Sequence, residues 1–136
     1  MSITAMFARL GAPLANVQWS WGGLRADGAV FLRVWQDQTQ KVDDKRFIRL
    51  AHHSAHEGDT RNLGYQERLR HLMAVKAGAP AFAILVRAKD VKARPRSIAG
   101  FNDREVFQLG EIATFDGDEW GELKDRISVQ AMAKAS

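Results

Sequence analysis

The chain has 136 residues, 46% of them hydrophobic and 26% charged, which suits one globular domain and excludes the apolar-poor composition of a disordered chain. The absence of cysteine removes disulfide frameworks, thiolate metal centres and cysteine nucleophiles together. Lys and Arg number 20 against 16 Asp and Glu, for a net charge of +4, and 13 of the 20 are arginine, a mild bias toward polyanionic partners.

In chain order, Ser2 to Leu10 forms a first helix, with Ser2 or Thr4 as its cap, Met6 and Leu10 on one side, and Gly11 then Pro13 as the stop. NVQWSW, the turn Arg25-Ala26-Asp27-Gly28 and AVFLRVWQD read as a hairpin. Gln36 to Lys45 is polar and leads to a third strand, RFIRLAHH, followed by the loop SAHEGDT. The clearest helix spans Asn62 to Ala77. Tyr65, Leu69, Leu72 and Met73 make its apolar stripe, Gln66, Glu67, Arg68 and Arg70 lie elsewhere on the wheel, Asp59, Thr60 or Asn62 caps it, and Gly78 and Pro80 end it. PAFAILVRA is apolar at both parities and reads as a central strand covered on both faces. Beyond the basic loop KDVKARPRS, the runs EVFQL, EIATF and LKDRISV suggest one or two further hairpins, and AMAKAS is expected to fray.

This order defines one α+β domain over residues 1–136, a mixed, curved or partly closed β-sheet with two main helices, similar to small folds of the PUA-like kind. No apolar stretch approaches the ~20 residues that cross a bilayer. The N-terminus MSITAMFARLGAPL also lacks the basic start of a secretory signal, so a cytoplasmic location and no membrane partner are expected.

Strand alternation puts Val30, Leu32 and Val34 on one face and Phe31, Arg33 and Trp35 on the other. It groups Val17, Trp19 and Trp21, and sets Phe47, Arg49 and His53 against Ile48, Leu50 and His52. Rings interleaved with arginines on a sheet face form a stacking platform for unpaired bases. The competing reading makes Trp19, Trp21 and Trp35 a second small core, with Arg33 in an ion pair or over a ring.

His52, His53, His56, Glu57 and Asp59 lie within eight residues, the densest set of proton carriers in the chain. Successive strand residues point to opposite faces, so His52 and His53 do not converge on one ion, whereas His53 with His56 or Asp59 can. The competing reading is a polar strand end and loop; no metal or other cofactor is expected. The acidic group Asp116, Asp118, Glu119 and Glu122 beside Trp120 reads as a hairpin turn rather than a cation site.

The start of the long helix offers free amides to phosphate, flanked by Arg61 and Arg68. Here Gly58-Asp59, Arg61-Asn62, Tyr65 and Leu69 resemble the Gly-Asp-Arg-Asn, Tyr, Leu signature of the N-terminal modified-cytosine-reading domain of McrA-type restriction endonucleases. The likeness covers about residues 57–88 with one inserted residue, Thr60, and does not extend to the HNH nuclease half of that family. It implies binding of duplex DNA bearing an altered base, without cleavage, in a bacterial or phage setting related to restriction or defence. The structural alternative is a capped helix start with Tyr65 packed inward.

Lys89, Lys92, Arg94 and Arg96 around Pro95 form a basic loop suited to a phosphate backbone. The expectation is thus a non-enzymatic nucleic-acid-binding module, DNA preferred, with Arg33, Arg61, Asn62, Arg68, Lys92, Arg94, Arg96, Trp19, Trp21, Trp35 and His53 at the interface. The alternatives are a hydrolase or nuclease using His53, His56 and Asp59, and a protein-interaction module or inhibitor of a nucleic-acid machine with its exposed rings as the contact.

Overall fold

A computed structural model describes residues 1–134, Ala135 and Ser136 lying outside the described residues. Ser2 caps helix α1 (Ile3–Arg9) by accepting the Ala5 amide on its hydroxyl at 3.0 Å, and the chain leaves the helix through Gly11 at a φ of 78°. Strand β1 (Gly22–Leu24) pairs antiparallel with β2 (Val30–Trp35) across the expected turn. The hairpin is much shorter than alternation suggested, because residues 17–19 form a turn instead of a strand. Val17, Trp19 and Trp21 therefore do not share a strand face.

The polar stretch after β2 contains a strand that the sequence reading left out, β3 (Thr39–Val42), paired antiparallel with β4 (Lys45–Ala51). The third strand ends two residues earlier than expected. His53 opens a four-residue helix, α2 (His53–His56), so the alternation argument does not reach either histidine. Helix α3 (Leu63–Lys76) is capped by Asn62, whose Oδ1 accepts the Tyr65 amide at 3.0 Å, and it stops before Gly78 at a φ of 112°.

Strand β5 (Ala81–Ala88) runs parallel to β2, with Val30 opposite Ala81 and Trp35 opposite Val86. It is antiparallel to β6 (Ile98–Phe101) near its end and to β7 (Glu105–Phe115) near its start. EVFQL and EIATF belong to this one strand β7, which is interrupted by irregularities in register. It turns through Asp116 and Gly117, at φ of 52° and 75°, into β8 (Asp118–Ser128). Both turn residues are left-handed, which matches the twist of a two-residue hairpin. The chain closes on α4 (Val129–Lys134), where Val129 and Met132 are buried, so the part of AMAKAS within the described residues is packed.

Among the described residues the fold is a single mixed α+β domain: four helices and eight strands in one sheet that does not close, ordered β1-β2-β5-β7-β8-β4-β3 with β6 on β5. Both faces of its middle are covered. Met6, Phe7, Leu10, Phe31, Phe82, Ile84 and Val106 pack with α1 and α4, and Val30, Leu32, Val34, Ile48, Leu50, Tyr65 and Leu72 pack with α3. Phe31 stacks on Phe82 in the first core, 5.0 Å between ring centres, away from Trp35.

Helix α3 keeps the expected apolar stripe at Tyr65, Leu69 and Leu72, which pack on the core, but departs from it at Met73 and on the polar side. Its inward face carries Glu67, Arg68 and His71, all buried, while Met73 is 70% exposed. Glu67 takes the Ser20 hydroxyl at 2.9 Å and the Trp21 amide at 3.2 Å. Arg68, 3% exposed, donates to the carbonyls of Leu50 at 2.6 Å, Trp21 at 3.0 Å and Arg33 at 2.7 Å. One guanidinium thereby ties β4, the entry to β1, and β2 together. Replacing it by methionine leaves the shape but strands those carbonyls, so Arg68→Met should cost about 2–4 kcal/mol of stability in urea unfolding.

Candidate functional site

Strands β2 and β4 are separated by β5, β7 and β8 in the sheet, yet both line one cavity of about 370 Å³. Its walls are Trp21, Arg33, Val34, Trp35 and Gln38 from the β1–β3 region, Arg49 and Leu50 of β4, His52 and His56 around α2, the cap Asn62 and Arg68 of α3, and Arg94 to Arg96 of the basic loop. This volume falls in the ~300–1,000 Å³ usual for small-ligand pockets. A second, more open hollow beside Val75, Gly78, Pro80 and Gln108 has a similar volume, about 370 Å³, but its one charged side chain, Lys76, is already held by Glu119 at 2.7 Å.

Five arginines meet at the first cavity, and their partners divide them. Arg96 is bidentate to Asp37 at 2.7 and 2.9 Å and lies over the Trp35 ring at 5.2 Å. Arg49 pairs with Asp118 at 3.4 Å. Arg94 is held on the carbonyls of Val91 and Ala93, and Arg68 on the three carbonyls already described. The Arg33 guanidinium has no hydrogen bond or ion pair among the described residues. Burial pulls its pKa below the ordinary arginine value, and Arg68, with Arg33 nearby, is pulled by burial down to about 9.

The rings are fixed from behind. Trp21 lies against α3 at Gly64, where a Cβ would run into the indole, and Arg68 sits 5.9 Å from its ring centre. His56 is 5.8 Å from Trp21 and 5.3 Å from Tyr65, ring centre to ring centre. Since Asn62 commits Oδ1 to the helix cap, its Nδ2 faces His56 and donates to Nδ1 at 3.3 Å. The His56 proton is thereby placed on Nε2. Burial, and then the neighbouring His52, hold this imidazole below its usual pKa, hence neutral near pH 7.

His52 turns Nδ1 to both oxygens of Asp118, at 3.1 and 3.0 Å. Burial would raise the Asp118 pKa, but the His52 hydrogen bond and the charges of His52 and Arg49 outweigh it and hold the carboxyl below its ordinary value. His53 lies outside the cavity lining, its Nε2 donating to Glu119 at 3.0 Å and its Nδ1 meeting the Tyr65 hydroxyl at 2.6 Å.

Of the residues singled out from sequence, Arg33, Asn62, Arg68, Arg94, Arg96, Trp21 and Trp35 line the cavity. Trp19, His53, Arg61 and Lys92 do not, Trp19 being half-buried in its turn and Arg61 and Lys92 exposed. His53 and His56 face different partners, while the Asp59 carboxylate accepts the Arg61 amide at 3.1 Å. Among the described residues no group of three or more His, Asp or Glu is placed to hold a metal. Arg49, His52, Gln38, Glu67 and Asp118 are contributors that the sequence reading did not assign to a site. The acidic turn around Asp118 was the available signal, since two carboxylates there brace His52 and His53 from across the sheet.

No protein-family model, curated protein or solved structure matches the chain. No helix among the described residues is long and apolar enough to cross a membrane.

Two measurements check this geometry. Asn62→Asp keeps an acceptor for the helix cap but loses the amide donor, so the His56 proton should move from Nε2 to Nδ1 at pH 8, read from imidazole ¹⁵N shifts. Asp118 has a depressed pKa in the folded chain, so its stabilisation is complete above the unfolded value near ~4 and disappears as pH falls through the lower folded value. Asp118→Asn should therefore lose about 1–2 kcal/mol at pH 7 in denaturant melts and show a flatter decline below about pH 4.

Proposed function

We propose that the chain is a nucleic-acid-binding module, for DNA in preference, that receives a single unstacked base in the arginine- and tryptophan-lined cavity. The observation that carries this reading is the convergence of Arg33, Arg49, Arg68, Arg94 and Arg96 from four separate segments on one cavity that also holds Trp21 and Trp35. Indole faces take a base by stacking, worth about 1–3 kcal/mol per base, and guanidinium groups take its edge and the adjoining phosphates.

Exposed Lys89, Lys92 and Arg94 sit in the loop that forms one rim, where they would follow a sugar-phosphate backbone. The segment resembling the McrA-type reader supplies Asn62 and Arg68 to the same cavity, which supports a role as a modified-base reader. The open sheet with α3 across one face supports a PUA-like assignment. His53 is occupied by Tyr65 and Glu119, so the hydrolase alternative lacks a free base at that position.

Fluorescence anisotropy on labelled duplexes tests the reading. The Lys92→Ala, Arg94→Ala double variant should weaken binding to all sequences alike and lower the salt slope by about 2, and Trp35→Ala should remove the extra affinity for duplexes with an unpaired base. Unchanged binding in the double variant, or no binding to any nucleic acid at low salt, would overturn it.

A further inference from the structure

Which base edge the cavity accepts is set by the donors and acceptors that its walls have not already spent. Four of the five arginines spend donors inside the protein: Arg68 on three carbonyls, Arg94 on two, Arg96 on Asp37 and Arg49 on Asp118. Arg33 spends none on its side chain among the described residues. Its planar fork offers parallel N–H groups from the β2 wall of the cavity.

His56 adds a second donor of fixed sense. The helix cap sets the Asn62 amide, the amide occupies His56 Nδ1, and the N–H left over is Nε2. Acceptors are scarce. No carboxylate lines the cavity among the described residues, and those bonded to its lining are committed: Asp37 to Arg96, Asp118 to Arg49 and His52, and Glu67 to Ser20 and the Trp21 amide. Gln38 can present either end of its amide and so does not discriminate.

Resting on the base-receiving reading, we infer that Arg33 is the specificity-determining residue of this cavity and that it selects a base edge with two adjacent acceptors. Guanine at O6 and N7, and cytosine at O2 and N3, have such an edge. Adenine and thymine alternate donor and acceptor, so either one places an N–H against the guanidinium. A site that has desolvated its donors rejects the base that leaves them unpaired, and one bidentate contact corresponds to roughly tenfold or more in affinity.

The experiment uses four duplexes that differ in one unpaired base, G, C, A or T, opposite an abasic position. Wild type should bind the G and C duplexes about tenfold more tightly than the A and T duplexes, and comparison of G with C shows which acceptor pair is read. Arg33→Lys keeps the charge and loses the fork, so it should level the four affinities. His56→Phe keeps the ring and loses the N–H, and should narrow the preference only in part. Equal affinity of wild type for all four overturns this inference and leaves the base-receiving reading standing. Failure of all four to outbind a fully paired duplex overturns both. A preference that persists in Arg33→Lys removes the assignment to Arg33.

Discussion

A single guanidinium, that of Arg68, holds the two sides of this molecule in register. It lies in the interior with no carboxylate bonded to it among the described residues, and it donates to three backbone carbonyls from β4, the approach to β1, and β2. Burying a cation this way is tolerable only when most of its donors are met; here Nη1 and Nη2 reach carbonyls that are themselves distant in sequence, while the buried Nε has no hydrogen-bond partner among the described residues. Its neighbour Glu67 performs the converse task, accepting a hydroxyl and an amide from the turn before β1. Helix α3 therefore fastens backbone to backbone as much as it covers apolar surface.

That arrangement explains what could be read from the residues and what could not. The caps at Ser2 and Asn62, the doubly covered strand β5 and the left-handed turn at Asp116-Gly117 follow from local rules, and each is present. The inward face of α3 follows from them only at Tyr65, Leu69 and Leu72. Periodicity weighs Glu67 and Arg68 as solvent-facing because it counts polarity without knowing which backbone groups wait on the other side. NVQWSW looks like a strand for a similar reason: alternation is there, but Ser20 and the Trp21 amide are bound to Glu67 across 46–47 residues, a contact invisible to any local window.

The candidate site divides along the same line. Arg33 and Trp35 were recognisable as a pair because strand pitch alone puts them on one side of β2. Arg49 and His52 gained their place from Asp118 on β8, a strand whose register with β4 sets Arg49 opposite Trp120 and Ala51 opposite Glu119. Carboxylates expected to serve only a turn instead set which cations remain available. Asp37 and Asp118 quench part of the positive field, and the cavity keeps its uncommitted charge at Arg33.

The walls of the cavity come from residues near 21, 33–38, 49–56, 62–68 and 94–96, so no contiguous piece of the chain contains them. Sheet, clasp and rim must all assemble before a ligand has anywhere to sit. Occupancy is then linked thermodynamically to the intact chain rather than to any one element, and a bound molecule would register as greater heat resistance of the whole protein, growing with the logarithm of its concentration.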